Sequence, residues 1–221
     1  MLKIEEYKSL VFDCDGVILN SNKIKTDAFR KVTLPYGEDA SEKLVDFHLN
    51  NGGISRYEKF IFFLNLISPN SSSSQKNDTL SLLLKNYAKE CKKSLYNVEI
   101  TNDLFFLKSK TSHTPWAIVS GGDQDELNDI FRFKKIHSMF ESGIFGSPDP
   151  KSLIFKREIN KKNFKLPALY FGDSKNDYYS AKENKMDFVF VKKWTDVIDY
   201  KIFCQDNSLF MIDSISEILN F

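Results

Sequence analysis

Two aspartates, Asp13 and Asp15, flank Cys14 in the stretch Ser9–Asn20, SLVFDCDGVILN, which is otherwise almost wholly apolar. Such a run is destined for burial, and a carboxylate resists burial unless it is neutralised or given a task. Further along stand Ser120-Gly121-Gly122, Lys151, and Gly172-Asp173-Ser174 followed by Asp177. Crowded carboxylates raise one another's pKa unless a cation neutralises them. Hard oxygen ligands of this kind suit Mg2+. A small hydroxyl such as Ser120, with the glycine N–H groups after it, can hold phosphate oxygens. Lys151 supplies a compact positive charge to the same oxygens. One aspartate can attack phosphorus to form an acyl phosphate. A second acid two residues on projects to the same side of an extended backbone, where it can protonate a leaving oxygen and then activate water. Taken singly, each residue has a plainer reading. Aspartates at strand ends often serve turns or helix caps, and most lysines are simply solvated. Meaning resides in the set.

Positioning such a set requires elements that converge. Ser9–Val17, Trp116–Gly122, Ala168–Ser174 and Asp187–Lys193 are short, apolar and rich in Val, Ile, Phe and Tyr. Gly143–Gly146 and Leu209–Ile212 are weaker candidates of the same type. Continuous rather than alternating apolarity fits strands buried on both faces of a parallel sheet. Helical patterns alternate with them over Asp103–Lys110, Asp125–Ile136, Lys151–Asn160 and Asn176–Met186. The alternation predicts an α/β fold with a doubly wound, Rossmann-like parallel sheet. In such sheets ligands bind outside the carboxyl ends of the strands, which is where Asp13, Asp15, Ser120, Gly121, Lys151, Asp173 and Asp177 fall.

One interval breaks the rhythm. Residues 19–97 hold helical patterns at Lys23–Leu34, Ala40–Leu49, Ser55–Ile67 and Thr79–Leu95 and no clear strand. A crossover needs only about a dozen residues, so this interval is predicted to be an inserted all-helical subdomain. The core would then comprise residues 1–18 and 98–221. Ser68–Asn77, SPNSSSSQKN, reads as a flexible loop between two of the inserted helices.

Composition narrows the role. Lys and Arg number 31 and Asp and Glu 30, a net charge of +1, which lacks the basic excess expected for nucleic acid or an acidic membrane surface. Three cysteines, Cys14, Cys91 and Cys204, are scattered and form no metal-binding spacing. The start MLKIEEYKSL is too short and charged for a signal peptide, and no apolar run reaches the ~20 residues of a bilayer span. A cytoplasmic monomer or weak homodimer, with no nucleic-acid or membrane partner, is the expectation. His48, His113 and His137 match no motif and are assigned no chemistry; Cys14 is expected to point into the core.

Asp13-Cys14-Asp15-Gly16-Val17, Ser120, Lys151 and Gly172-Asp173-Ser174-Lys175-Asn176-Asp177 resemble, in order and spacing, the four motifs of the haloacid dehalogenase-like superfamily. The resemblance covers essentially the whole chain. It implies that the helical insert is a cap. It also implies Asp13 as nucleophile and metal ligand, and Asp15 as general acid/base that offers its backbone carbonyl to the metal. Ser120 would bind phosphate, Lys151 would order nucleophile and phosphate, Asp173 would ligate the metal, and Asp177 would support it or its waters. An aspartate at position 15 favours phosphate esters over the dehalogenase and phosphonatase chemistries. The motif around Lys151 departs from the usual pattern, because Lys151 follows Pro150 where many relatives have the lysine before a proline; Lys156 is the fallback. Asn20-Ser21 stands where relatives often have Asp-Ser, and no role is attached to it. The loop Asn50–Arg56, NNGGISR, resembles the cap loop that reads substrate in capped relatives, which makes Gly53, Ser55 and Arg56 candidates for substrate contact. Arg56 could pair with a carboxylate or a second phosphate, although an exposed ion pair at a helix start is nearly as good a reading.

The expected activity is Mg2+-dependent hydrolysis of a small phosphorylated metabolite through a phosphoaspartyl intermediate at Asp13. A sugar-phosphate mutase of the β-phosphoglucomutase type is the alternative, and a non-catalytic binding protein on the same fold is a third class.

Overall fold

β-Branched and aromatic residues prefer the pleated, buried surface of a strand. In the computed structural model, which describes residues 3–221, they form β1 (Ser9–Phe12), β2 (Trp116–Asp123), β3 (Gly143–Ser147), β4 (Ala168–Gly172), β5 (Asp187–Val191) and β6 (Phe210–Ile212). Among these residues, six parallel strands make one sheet in the order β3-β2-β1-β4-β5-β6. The order reverses between β1 and β4, the switch point at which α/β sheets open a crevice.

Both faces of the sheet are covered. Leu10 and Phe12 of β1 pack with Trp116, Ile118 and Phe171 on one side. Val11 packs with Val119, Tyr170 and Phe190 on the other. The ring of Phe12 stacks on Phe171 with centroids 4.8 Å apart and tilts against Trp116 at 4.7 Å. This strand, buried on both faces, gives the site a rigid floor.

The covering helices are α5 (Leu104–Lys110), α6 (Gln124–Phe133), α7 (Lys151–Asn160), α8 (Lys175–Glu183) and α9 (Tyr200–Asp206). Four more lie between β1 and α5, namely α1 (Asn22–Thr33), α2 (Glu38–Asn50), α3 (Arg56–Ile67) and α4 (Ser73–Asn97). Their inner faces carry Phe29, Leu44, Phe60, Phe63, Leu83 and Tyr87, and this apolar cluster is continuous with the β1 side that holds Phe12. Where the chain leaves and re-enters the sheet layer, the two segments hydrogen-bond to each other. Asn20 N–H donates to Glu99 O at 3.0 Å, and Thr101 N–H donates to Ile18 O at 2.9 Å.

Several boundaries differ from expectation. β1 stops at Phe12 rather than Val17. The chain turns there, with Gly16 at φ +77° and its N–H donating to Leu19 O at 2.9 Å. α4 begins at Ser73, so only the first half of Ser68–Asn77 is loop. The polar run conceals a capping box in which Ser72 and Gln75 satisfy each other's backbone N–H groups. α9, absent from the sequence reading, is a short helix that buries Phe203 and Cys204. Among the described residues, no helix is long and apolar enough to cross a membrane.

Candidate active site

Because β1 ends at Phe12, Asp13 is the first residue past the carboxyl end of the central strand, and Asp173 is the first past β4. Lys151 opens α7, and Asp177 lies in the first turn of α8. The four side chains converge. Lys151 Nζ is 2.8 Å from Asp13 Oδ2 and 2.5 Å from Asp177 Oδ1. Asp13, Asp173 and Asp177 each bring a carboxylate oxygen within 4.8 Å of the others, and all three are buried. Gly16 permits this approach, since a Cβ there would fall 2.0 Å from Asp173 Oδ2.

The electrostatics of this cluster are unbalanced. Burial pushes Asp13 up to about 7 against the opposing pull of Lys151. Burial, reinforced by Asp13 and Asp177, pushes Asp173 well above the usual carboxylate range. Burial also opposes the charge of Lys151, but Asp13 and Asp177 hold it above the ordinary lysine value. One ammonium cannot neutralise three buried carboxylates. The donor set is therefore that of a hard divalent cation, for which carboxylate oxygens are the preferred ligands.

Asp177 is less free than its place in the cluster suggests. Its Oδ1 accepts from Lys151 and from Tyr170 O–H at 2.9 Å, and its Oδ2 accepts from Ser174 N–H at 3.0 Å and Ser174 O–H at 2.6 Å. Both oxygens thus hold Lys151 and the start of α8 in place. Asp13 Oδ1 accepts from Cys14 N–H at 2.7 Å, while the Cys14 side chain enters the core as expected. Asp173 Oδ2 accepts from Asn22 at 2.8 Å.

The carboxylate of Asp15 stands apart from the other three. Its Oδ2 accepts from Lys25 Nζ at 2.6 Å and its Oδ1 from Ser21 O–H at 2.5 Å. Burial works to raise Asp15, but Lys25 and these two hydrogen bonds overcome it and hold the acid below its ordinary value. Any contribution of Asp15 to a metal is thereby left to its backbone, as the family resemblance implies. Lys25 also lies 3.9 Å from Glu126 of α6, which pairs at 2.7 Å with Arg56 of α3. The Arg56 guanidinium sits 5.0 Å from the centroid of the Tyr87 ring.

Above the carboxylates is a cavity of about 70 Å³ lined from below by Asp13, Asp15, Gly121, Gly122 and Asp173 and from above by Phe29, His48, Gly53, Arg56, Lys59 and Tyr87. The loop before α3 closes directly on β2: a Cβ on Gly121 would lie 2.5 Å from Gly53 O. Ser120 is fully buried beneath this wall, and its Oγ accepts from Gly122 N–H at 3.0 Å.

The sequence reading placed Asp13, Asp15, Lys151, Gly121, Gly53 and Arg56 around one crevice, and the structure brings them there. Ser55 departs from its expected role. Its Oγ caps α3 by accepting from Glu58 N–H at 3.2 Å and donating to Glu58 Oε1 at 3.1 Å, so the hydroxyl serves the helix rather than the cavity. Arg56 lines the cavity but is tied to Glu126 in a buried ion pair, not an exposed one. Lys151 itself meets Asp13, so the fallback Lys156 is not needed. Lys25 and Lys59 escaped the sequence reading as site residues, and Ser21 and His48, to which it attached no role, also meet side chains of the site. Lys25 and Lys59 had a detectable signal, because each sits on the apolar stripe of its helix. Lys25 shares that stripe with Ala28, Phe29 and Val32, and Lys59 with Phe60, Phe63 and Leu64. A charge at helical spacing among buried apolar residues calls for a partner or a function.

Comparisons with known proteins agree with this fold. Residues 10–191 match the sequence profile of the family described as Haloacid dehalogenase-like hydrolase. A haloacid dehalogenase-like family hydrolase from Streptococcus pneumoniae superposes with TM-score 0.66 at 19% identity, covering 98% of this chain and 99% of the other. A Clostridium acetobutylicum protein described as a predicted phosphatase gives TM-score 0.73 at 16% identity, with 97% of each chain covered. A Lactobacillus plantarum protein assigned by name to the phosphoglycolate phosphatases gives 0.70 at 18% identity, covering 97% and 98%. No functionally curated protein sequence matches the chain significantly.

Proposed function

The chain belongs to the haloacid dehalogenase-like hydrolase family, and from that premise we propose that it is a phosphatase that hydrolyses a small phosphomonoester through a phosphoaspartyl intermediate on Asp13, with Mg2+ as its metal. The observation that carries the reading is the Lys151 ammonium bridging Asp13 and Asp177 beside Asp173. No simpler purpose explains why a chain would bury three carboxylates around one lysine at the end of its central strand.

In this reading residues 19–97 act as a cap and residues 1–18 and 98–221 as the catalytic core. Asp13, Asp173 and the Asp15 backbone carbonyl would hold the metal, while Asp177 fixes Lys151. Bound there, Mg2+ would lower the carboxylate pKa values and screen the charge of the incoming phosphate. A carboxylate oxygen of Asp13 attacks phosphorus as the bond from phosphorus to the leaving oxygen breaks. Asp15, protonated, gives its proton to that oxygen and releases the alcohol. The Asp15 carboxylate then takes a proton from water as the water attacks the phosphoaspartate, which returns Asp13 and releases inorganic phosphate. Ser120, whose Oγ is oriented by the Gly122 N–H, together with the Gly121 N–H and Lys151 would hold the phosphoryl oxygens in line. The cap loop at Gly53 excludes bulk water by closing on Gly121.

The test is phosphate release over a panel of phosphomonoesters with Mg2+, run beside Asp13→Asn. Turnover by the wild type and none by the variant is expected. Wild-type rates from Asp13→Asn would overturn the assignment.

A further inference from the structure

The cavity under the cap contains three buried cations, and only two are spoken for. Lys25 is paired with Asp15, and Arg56 with Glu126. Lys59 has no carboxylate in ion-pair contact among the described residues, although it is 4% exposed and lines the cavity. Asp196 lines the same cavity and is influenced by the charge of Lys59, but among the described residues no ion-pair contact joins the two. Among the described residues the Lys59 ammonium has one hydrogen-bond partner, His48 Nδ1, at 2.6 Å.

That partner is itself held in a defined state. When protonated, Lys59 can only donate, so His48 Nδ1 then accepts and the proton of the neutral imidazole resides on Nε2. Nε2 faces Thr26 Oγ1 at 2.9 Å, and Thr26 in turn donates to Asn22 O at 3.1 Å. Burial, with Lys59 and Lys25 nearby, keeps the His48 pKa far below its ordinary value, so the ring stays neutral. Lys59 is thus positioned by a fixed acceptor, with no second protein acceptor for its ammonium among the described residues. Burial, with Lys25 next in weight, lowers its own pKa to about 7. A buried cation with spare donors is costly unless something anionic arrives to meet it.

We propose that Lys59, oriented by neutral His48, is the specificity-determining residue that binds a second oxyanion carried by the leaving alcohol. The substrate is then a phosphate ester of a small alcohol bearing its own carboxylate or phosphate. This deepens the phosphatase reading and rests on it. It also reassigns the anion-reading role from Arg56, whose guanidinium is already engaged by Glu126. Size supports a compact leaving group. At roughly 10–15 Å³ per water-sized position, the cavity of about 70 Å³ accommodates a phosphoryl group and a few further heavy atoms.

Three probes of matched length separate the outcomes: phosphoglycolate with a carboxylate, 2-hydroxyethyl phosphate with a neutral hydroxyl, and ethylene glycol bisphosphate. Steady-state rates are measured for wild type, Lys59→Met and Lys59→Arg with Mg2+. Binding of the same probes to each, in the Asp13→Asn background, is measured by calorimetry. Wild type should favour one of the charged probes, and the better one identifies the oxyanion. Lys59→Met should lose about tenfold to a hundredfold on that probe, the worth of one charge-assisted hydrogen bond, and little on the neutral probe. Lys59→Arg should recover part of the preference. The Tm of Lys59→Met should hold or rise, since an unpaired buried charge is removed. Equal losses on charged and neutral probes, or a wild type without charge preference in binding, would overturn the proposal. A Lys59-dependent binding preference with no turnover of any probe would leave an anion site at Lys59 but overturn the phosphatase reading, and with it the assignment of that anion to a leaving alcohol.

Discussion

Lys25 Nζ lies 2.6 Å from Asp15 Oδ2, so the residue proposed as general acid is held as a carboxylate by a buried lysine from the first cap helix. The arrangement reverses the protonation that the first chemical step needs. Without metal, Asp13 tends to be protonated and Asp15 ionised. Occupation of the carboxylate cluster by a cation and of the cavity by substrate must correct both.

Removing that lysine should raise the pKa of Asp15. Formation of the phosphoenzyme requires protonated Asp15, so kcat/KM falls as pH rises past its pKa. In Lys25→Met the falling limb should move to higher pH, whereas a purely structural lysine would lower kcat/KM without moving the limb. A full pH profile of kcat/KM for wild type and variant makes the comparison.

Metal affinity should itself depend on pH. Asp13 at about 7 and Asp173 well above its ordinary value are proton-bound in the empty cluster at mildly acidic pH. Raised carboxyl pKa values stabilise the fold only while the groups are protonated, and that share is lost as pH rises through about 7. Metal binding must displace those protons, so affinity strengthens over the same range. The rise in Tm on adding Mg2+ should be small near pH 5 and larger near pH 8. A metal-induced shift independent of pH would contradict the raised pKa values.

Two glycines are expected to be irreplaceable for different reasons. Gly16→Ala would place a Cβ 2.0 Å from Asp173 Oδ2 at a φ of +77°. Backbone strain of this kind costs about 1–3 kcal/mol, and displacement of Asp173 should weaken metal binding as well. Gly121→Ala would meet Gly53 O at 2.5 Å, so it should raise KM by holding the cap off the core while leaving Tm nearly unchanged. Calorimetric metal titration and thermal melts distinguish the two.

The pair of Arg56 and Glu126 joins α3, in the helical stretch between β1 and α5, to α6 beside the sheet. Truncating one partner leaves a buried charge unmatched, which costs about 3–5 kcal/mol. A double-mutant cycle of Arg56→Met and Glu126→Gln, read by chemical denaturation, should therefore show the double variant more stable than the sum of the single losses. Strict additivity would mean that the ion pair contributes nothing.

How much of this was legible in the sequence follows from where each residue sits. Asp13, Asp15, Asp173 and Lys151 could be read because they stand at or beyond the ends of apolar strands, and a charge there is conspicuous. The central strands were legible from their continuous apolarity. Lys25 and Lys59 were not found and His48 was given no chemistry, because the three come from separate helices and meet only when α1, α2 and α3 pack. Periodicity marks them as buried but does not say what they face. Ser55 misled in the opposite direction: a serine before a helix is a cap first, and the chemistry of Glu58 three residues on decides it. The start of α4 was obscured by low-complexity serines around its capping box.

Water also separates hydrolysis from the mutase alternative. A phosphatase discharges its phosphoenzyme to water as fast as it turns over, whereas a mutase retains it until a sugar hydroxyl arrives. A phosphoenzyme that outlives turnover, together with isomerisation of a hexose 1-phosphate, would favour the mutase.

The central claim is that Asp13 is the atom-for-atom acceptor of the phosphoryl group. Rapid acid quench during turnover, followed by mass spectrometry of the peptide containing Asp13, tests it most directly. The account predicts the mass of one added phosphoryl group on Asp13, appearing before free phosphate and missing from Asp13→Asn. A phosphoryl group on another residue, or turnover in which no phosphorylated protein forms, would contradict it.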